Sequence, residues 1–412
     1  MTAQQLRSLD LFSGIGGMSH ALRGVAKTVA YCDSSASARD VLRNNMDRGR
    51  LDVAPICNDV RDMGKRWLRK NAVDGVDVLV AGVPCIGFST AGKKQGLRQE
   101  QSALFVEVIR IVDEVMPSLV FLENVANILN TDGMAFVMRE MHIKRRYELR
   151  WCTLTAQAVG SPQLRRRWYC LAVHPKRAAA MQFSCPRYTP HTWTPASEPE
   201  RAKCTDDVAL ANSRLRLLGN SVVPDAVRYA FCFLAAGFRQ PLRRSEFFFY
   251  NRVCPVSDTG VRVIGRARRP WPKCGGVRCN AMFSAAQPRR LPATHTFQLE
   301  FVPGAFKSKV PPRTTLTSGV HTEPVRSTHW GTPVYSKISG PANFLTRRHG
   351  TTLLTQIRFE RDTPDHLRGC KINPEFVEWL MGFPHTWTQV TGPRTCAPPP
   401  PGQSASGGTR PA

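Results

Sequence analysis

Along the first 175 positions, short apolar runs alternate with longer amphipathic stretches. Leu9–Phe12, Val29–Cys32, Ala54–Cys57, Val76–Ala81, Ser118–Leu122 and Trp168–Val173 read as strands. Continuous apolar runs of this length suit strands covered on both faces. Between them, Met18–Gly24, Ala36–Asn45 and Ala103–Val115 carry helical spacing. Strands alternating with helices predict an α/β fold with a doubly wound, mostly parallel sheet. In such sheets ligands sit beyond the carboxyl ends of the strands. Residues just past each apolar run are therefore the first candidates for chemistry.

After this region the texture changes. Residues 1–186 are expected to form a catalytic and cofactor-binding domain, and the Pro- and Thr-rich stretch 187–208 a linker. Residues 209–238 regain helical character around a Gly-Asn-Ser turn. Residues 239–350 lose that periodicity and are rich in Arg, Pro, Gly and Thr, which predicts a smaller, irregular, basic region. A further helical patch, Pro374–Met381, lies within a closing segment 351–391. The Pro/Gly/Ser-rich tail 392–412 predicts disorder. No internal repeat is visible.

Charge sharpens the picture. The chain of 412 residues carries a formal charge of +26. Residues 239–350 hold 19 Lys and Arg against 4 Asp and Glu. Such an excess points to a polyanionic partner, nucleic acid before membrane. No apolar run approaches the roughly 20 residues of a membrane span. The first residues lack a charged-then-apolar leader pattern. An intracellular, monomeric protein is expected, with most of its 13 cysteines reduced. Cys254, Cys274 and Cys279 fit no standard zinc spacing, so no metal is expected.

The strand ends then supply candidate groups. Leu9-Asp10-Leu11-Phe12-Ser13-Gly14-Ile15-Gly16-Gly17 leaves a strand and opens a helix, where glycines permit a sharp turn and a close ligand. Asp33 and Asp59 follow the next two strands; an acid at a strand end can accept from a ribose diol, or serve as a helix cap or surface charge. Cys85 follows Val78–Ala81 on a loop with Gly87, Gly92, Gly96, Lys93, Lys94 and Arg98. A free cysteine is usually buried and inert, but a mobile basic loop at a strand end suits closure over nucleic acid. Glu123 ends the run Leu119–Leu122, where desolvation raises a carboxyl pKa and favours proton donation; a helix cap is the alternative. Arg165 and Arg167 project to one face of an extended segment, either to orient a carboxylate or as solvated charge.

Together these residues resemble the cytosine carbon-5 DNA methyltransferases. The resemblance rests on Asp10–Gly17, Gly82-Val83-Pro84-Cys85 with Phe88-Ser89, Glu123-Asn124-Val125, Gln163–Arg167 and Gly219-Asn220-Ser221-Val222-Val223-Pro224, in the family's order over residues 8–235. It implies the S-adenosylmethionine-dependent methyltransferase fold and a double-stranded DNA substrate. It implies S-adenosylmethionine held by Asp10, Phe12, Gly14, Gly16, Gly17, Asp33, Asp59, Pro84, Leu104, Asn220 and Ser221. Cys85 would attack carbon 6 of a flipped-out cytosine. Glu123 would protonate or hydrogen-bond N3, and Arg167, with Arg165 behind it, would hold the base and Glu123. A tRNA cytosine methyltransferase and a catalytically dead DNA-binding homologue are the competing readings.

The chain departs from the family pattern in four ways. Ile86 stands where glutamine is common, and Asp33 where glutamate is. Asn212 follows Arg167 by 45 positions, too few for the usual recognition region. Asn373–Pro384 resembles the segment that normally precedes the Gly-Asn motif, especially in phage-type members, so the two closing motifs stand in exchanged order. A recognition region relocated to 239–350 is the expectation; a fused or degenerate remnant is the alternative.

Overall fold

The computed structural model describes residues 5–84, 100–179, 181, 188–203, 207–239, 253–256, 260–263, 271–278, 281–284 and 371–390. Cys85 with its loop and Cys279 lie outside these residues.

Chain order begins β1 (Leu6–Leu11), α1 (Gly17–Ala21), β2 (Ala26–Cys32), α2 (Ala36–Asp47), β3 (Ile56–Cys57) and α3 (Lys65–Lys70). It continues β4 (Val78–Gly82), α4 (Glu100–Val115), β5 (Leu119–Val125), α5 (Asp132–Val137), β6 (Glu148–Thr155) and β7 (Arg166–Val173). Then come β8 (Ala202–Lys203), α6 (Val208–Asn220), α7 (Pro224–Arg239), β9 (Val253–Val256), β10 (Gly260–Val263), β11 (Cys274–Arg278), β12 (Ala281–Ser284), β13 (Lys371–Ile372) and α8 (Pro374–Met381).

Nine of the described strands form one sheet, ordered β12-β11-β6-β7-β5-β4-β1-β2-β3. From β5 through β4 and β1 to β3 all pairings are parallel. β7, β6, β11 and β12 add antiparallel strands on the other side. The predicted doubly wound, mostly parallel class is thus the observed one. Its cause is visible along β4. Val78 and Val80 enter one core with Tyr31, Phe121 and Phe231, whereas Leu79 and Ala81 enter the other with Val112, Val120 and Leu122. The side-chain period of two divides a wholly apolar strand between both faces.

Three packing features were not legible beforehand. β6 was missed because Glu148 and Arg150 interrupt its apolar character. β11, from within the basic segment, pairs with β6, Cys274 opposite Cys152. Trp151 Nε1 donates to Pro272 O at 2.8 Å and anchors this edge. The stretch read as a linker is also packed: Trp193 Nε1 donates to Trp379 O at 2.8 Å, and the Tyr188 hydroxyl donates to Asp225.

Candidate active site

β1, β2, β4 and β5 converge on a cavity of about 310 Å³ lined by Phe12, Gly14, Gly17, Asp33, Glu123 and Asn220, among others. The loop after β1 forms its floor. Phe12 (φ 54°) takes a left-handed conformation rare for a non-glycine residue, followed by Gly14 and Gly16 (φ 53° and 81°). A Cβ on Gly17 would come within 2.8 Å of Val222 Cγ2 and 3.2 Å of Phe383 Cζ. Glycine there lets three distant segments meet beside the cavity.

Asp33, just past β2, accepts from Gly14 N at 2.7 Å through one oxygen and from Ser35 N at 2.8 Å through the other. Two backbone amides therefore fix the carboxylate. About four lone-pair sites exist on such a group, so capacity remains for further donors.

Asp10 lies beneath the loop, 1% exposed. One oxygen accepts from Ser19 Oγ at 2.5 Å, and Ser19 accepts in turn from Thr28 Oγ1 at 2.9 Å. The other oxygen is buried without a partner. Burial pushes the Asp10 pKa up to about 7 from 3.8. A carboxyl raised in the folded state favours folding below the unfolded value, and that contribution is lost as pH rises through about 7. Asn at position 10 carries no charge to desolvate. The stability of Asp10→Asn relative to the wild type should therefore grow between pH 4 and 8, by up to about 4 kcal/mol. Urea unfolding of both proteins across that range measures it; a pH-independent difference would show that Asp10 is not buried as a neutral acid.

Glu123 stands near the end of β5, 8% exposed and paired across the ladder with Gly82 and Tyr169. Arg167 Nε lies 3.1 Å from its Oε1. Desolvation raises the Glu123 pKa, while Arg167 and Arg165 pull against it; the net direction is upward. The carboxyl thus holds its proton more tightly than an ordinary glutamate.

The segment 163–167 works as a three-pronged tie, because alternate residues reach different elements. Gln163, fully buried, donates from Nε2 to Leu380 O at 2.7 Å on α8. Arg165, 3% exposed, donates from Nη2 to Gly219 O at 3.1 Å and to Ser221 O. Arg167 reaches Glu123. Arg165 therefore clasps the turn that carries Asn220 and Ser221 into the cavity. Burial, with Arg167 beside it, lowers its pKa to about 9, which leaves it cationic at neutral pH.

The closing segment packs against the same site. β13 pairs with β8, bringing position 371 beside 203. Asn373 caps α8, its side chain accepting from Glu375 N at 3.0 Å. Fully buried Glu378 accepts from Arg214 Nη2 at 3.1 Å and Thr388 N at 2.7 Å. Trp387, also fully buried, donates from Nε1 to Ile15 O at 2.8 Å within the glycine loop.

Of the residues expected from sequence, Phe12, Gly14, Gly17, Asp33, Glu123, Asn220 and Ser221 line one cavity. Gly16 turns the loop against Leu51 and Leu42, and Asp10 supports it from below. Asp59 does not line the cavity: its Oδ1 accepts from Arg61 N at 2.9 Å and pairs with Arg61 Nε at 3.2 Å. Leu104 packs against the core on the α4 side, and Pro84 is exposed past β4. Sequence reading missed Met18, Gly82 and Arg216 in the lining. Arg216 was findable, since it precedes Asn220 by four positions on a helix.

Residues 6–213 match the model of the C-5 cytosine-specific DNA methylases. The type II methyltransferase M.CviJI of Paramecium bursaria Chlorella virus IL3A is 30% identical over 92% of this chain and 96% of its own length. This chain belongs to the C-5 cytosine-specific DNA methylase family. It is a DNA cytosine-5-methyltransferase by that membership, and the likeness to the viral enzyme runs through the basic segment as well. M.HhaI of Haemophilus parahaemolyticus is 31% identical over 40% of this chain and 48% of its own. A solved structure of a Spodoptera frugiperda DNMT2 mutant aligns with 41% of this chain and 50% of that one, at 23% identity and a TM-score of 0.34. The cavity unites Glu123 with the glycine loop that follows β1. Among the described residues, no helix is long and apolar enough to cross a membrane.

Proposed function

We propose that this chain transfers a methyl group from S-adenosylmethionine to carbon 5 of cytosine in double-stranded DNA, through a covalent adduct of Cys85 at carbon 6. The observation that carries this reading is the shared cavity, which brings Asp33, Asn220 and the glycine loop together with Glu123. The residues fit the cofactor. The close-packed glycine loop leaves backbone exposed to a ligand, Asp33 has lone pairs free for a ribose diol, and Asn220 and Ser221 suit the amino acid end. Bound S-adenosylmethionine would supply an electrophilic methyl group on its sulfonium.

The chain's own groups would act as follows. The Cys85 thiolate adds to carbon 6 of the flipped base. Glu123, protonated more readily than an exposed glutamate, gives its proton to N3 as that bond forms. Arg167 then faces a carboxylate and stabilises it, at the 3.1 Å contact already present. Addition at carbon 6 makes carbon 5 nucleophilic. After methylation, water takes the carbon-5 proton and Cys85 Sγ departs, which restores the aromatic ring, while N3 returns its proton to Glu123. Arg165 acts one step back, by holding the Gly219–Ser221 turn. Residues 239–350 are proposed to choose the target.

The test uses S-adenosylmethionine labelled in its methyl group, offered with duplex DNA and with tRNA. Label should enter duplex DNA, and bisulfite sequencing of plasmid from expressing cells should show protected cytosines in one sequence context. Label entering tRNA alone, or neither nucleic acid, would overturn the proposal.

Asp33→Ala should weaken cofactor binding by about 10- to 100-fold. Charge-assisted hydrogen bonds of roughly 1.5–3 kcal/mol are lost, and Gly14 N also loses its partner. Calorimetric titration measures this; an unchanged dissociation constant would place the ribose contact elsewhere.

A further inference from the structure

We propose that Arg216 holds the carboxylate of the cofactor's amino acid end; this rests on the S-adenosylmethionine reading above. Among the described residues, the cavity lining contains two acidic residues, Asp33 and Glu123, and a guanidinium, Arg216. Both acids are already engaged: Asp33 with Gly14 N and Ser35 N, Glu123 with Arg167. Arg216 has no hydrogen bond or ion pair with any described residue. Its neighbour Arg214 is the opposite case, tied by Nε to Thr388 Oγ1 at 2.8 Å and by Nη2 to Glu378 Oε1 at 3.1 Å. One arginine of α6 thus fastens the closing segment, and the other stands unpaired at the cavity.

Helix geometry places Arg216 one turn before Asn220, on the same face. Arg165 fixes the end of that helix through Gly219 O and Ser221 O, so the helix presents Arg216 and Asn220 together. S-adenosylmethionine carries two cationic groups, the sulfonium and the ammonium, and a single anionic one. The carboxylates of the cavity suit its diol and its cations. A free guanidinium suits its carboxylate, which it can meet with two parallel N–H donors.

The experiment compares two ligands on the full chain by calorimetry. S-adenosylhomocysteine retains the amino acid end; 5′-methylthioadenosine lacks it. Arg216→Met should raise the dissociation constant of S-adenosylhomocysteine at least tenfold and change that of 5′-methylthioadenosine less than twofold. Arg216→Lys should recover part of the loss, since charge returns without the planar fork. Equal weakening of both ligands would show a distorted cavity and overturn the assignment. Unchanged binding of both, with weaker binding to duplex DNA, would assign Arg216 to a phosphate instead. A wild-type chain that binds neither ligand would overturn the cofactor reading itself, which separates that failure from the failure of Arg216.

Discussion

Replacing Cys85 with serine is expected to abolish methyl transfer, with a loss on the order of 10⁶-fold, the scale on which removing an enzymic nucleophile acts. A serine hydroxyl is scarcely ionised near neutral pH, whereas a thiol with a pKa near 8.5 supplies a usable thiolate fraction. The framework supports this position for the nucleophile. β4 ends at Gly82, which pairs with Glu123 across the ladder. Three residues of extended chain span at most about 10 Å, which limits how far Cys85 can lie from Gly82. Cofactor binding should survive the substitution, because the described residues supply a cavity lining without it. The wild type should also be trapped on DNA containing 5-fluorocytosine, since fluorine cannot leave as a proton. A gel-stable complex measures the trapping, and a Cys85→Ser protein with normal turnover would sink the assignment.

The parallel half of the sheet was legible because its strands are apolar on both faces and end in chemically distinctive residues. β1, β2, β4 and β5 deliver Phe12, Asp33, Gly82 and Glu123 to one edge, as the strand-end rule requires. The antiparallel half was less legible. β6 mixes Glu148 and Arg150 with Leu149 and Trp151, and β11 sits in a segment whose arginines mask its short apolar core. The roles within 163–167 were legible as a motif and only partly as contacts. An extended segment puts alternate residues on one face, but sequence does not say what that face meets. Here it meets α8 through Gln163, the Gly219–Ser221 turn through Arg165 and Glu123 through Arg167.

An exchanged order of the closing motifs, as the resemblance implies, is compatible with the fold. Contacts are made in space, so a segment can serve the glycine loop from either side of the Gly-Asn-Ser turn, provided the chain returns. The β8–β13 pairing makes that return, and Trp387 then reaches Ile15 O while Asn45 Nδ2 donates to Trp387 O at 2.9 Å. Glu378 is fully buried there, with its Oε1 bound by Arg214 and Thr388. Truncating a buried tryptophan costs about 3–5 kcal/mol, so Trp387→Ala should destabilise the fold by about that much.

Removing residues 285–350, with a short Gly/Ser linker in their place, is expected to abolish sequence-selective methylation while sparing the cofactor site. The choice of boundary follows from the fold. Residues 271–284 contribute β11 and β12 to the sheet and Pro272 O to Trp151, so a deletion from 239 would strip the edge from β6. The narrower deletion leaves those strands, the β8–β13 pairing and α8 in place. It removes nine Lys and Arg against two Asp and Glu. Each phosphate that is no longer neutralised should reduce the slope of log affinity against log salt by about 0.9. Binding to duplex DNA should therefore weaken and become less salt-dependent, and arginines able to read guanine edges would go with it. Fluorescence anisotropy with a labelled duplex at several salt concentrations measures the slope, and calorimetry with S-adenosylhomocysteine shows whether the cavity survives. A shortened chain that still methylates the same sequence would place target recognition within the remaining residues.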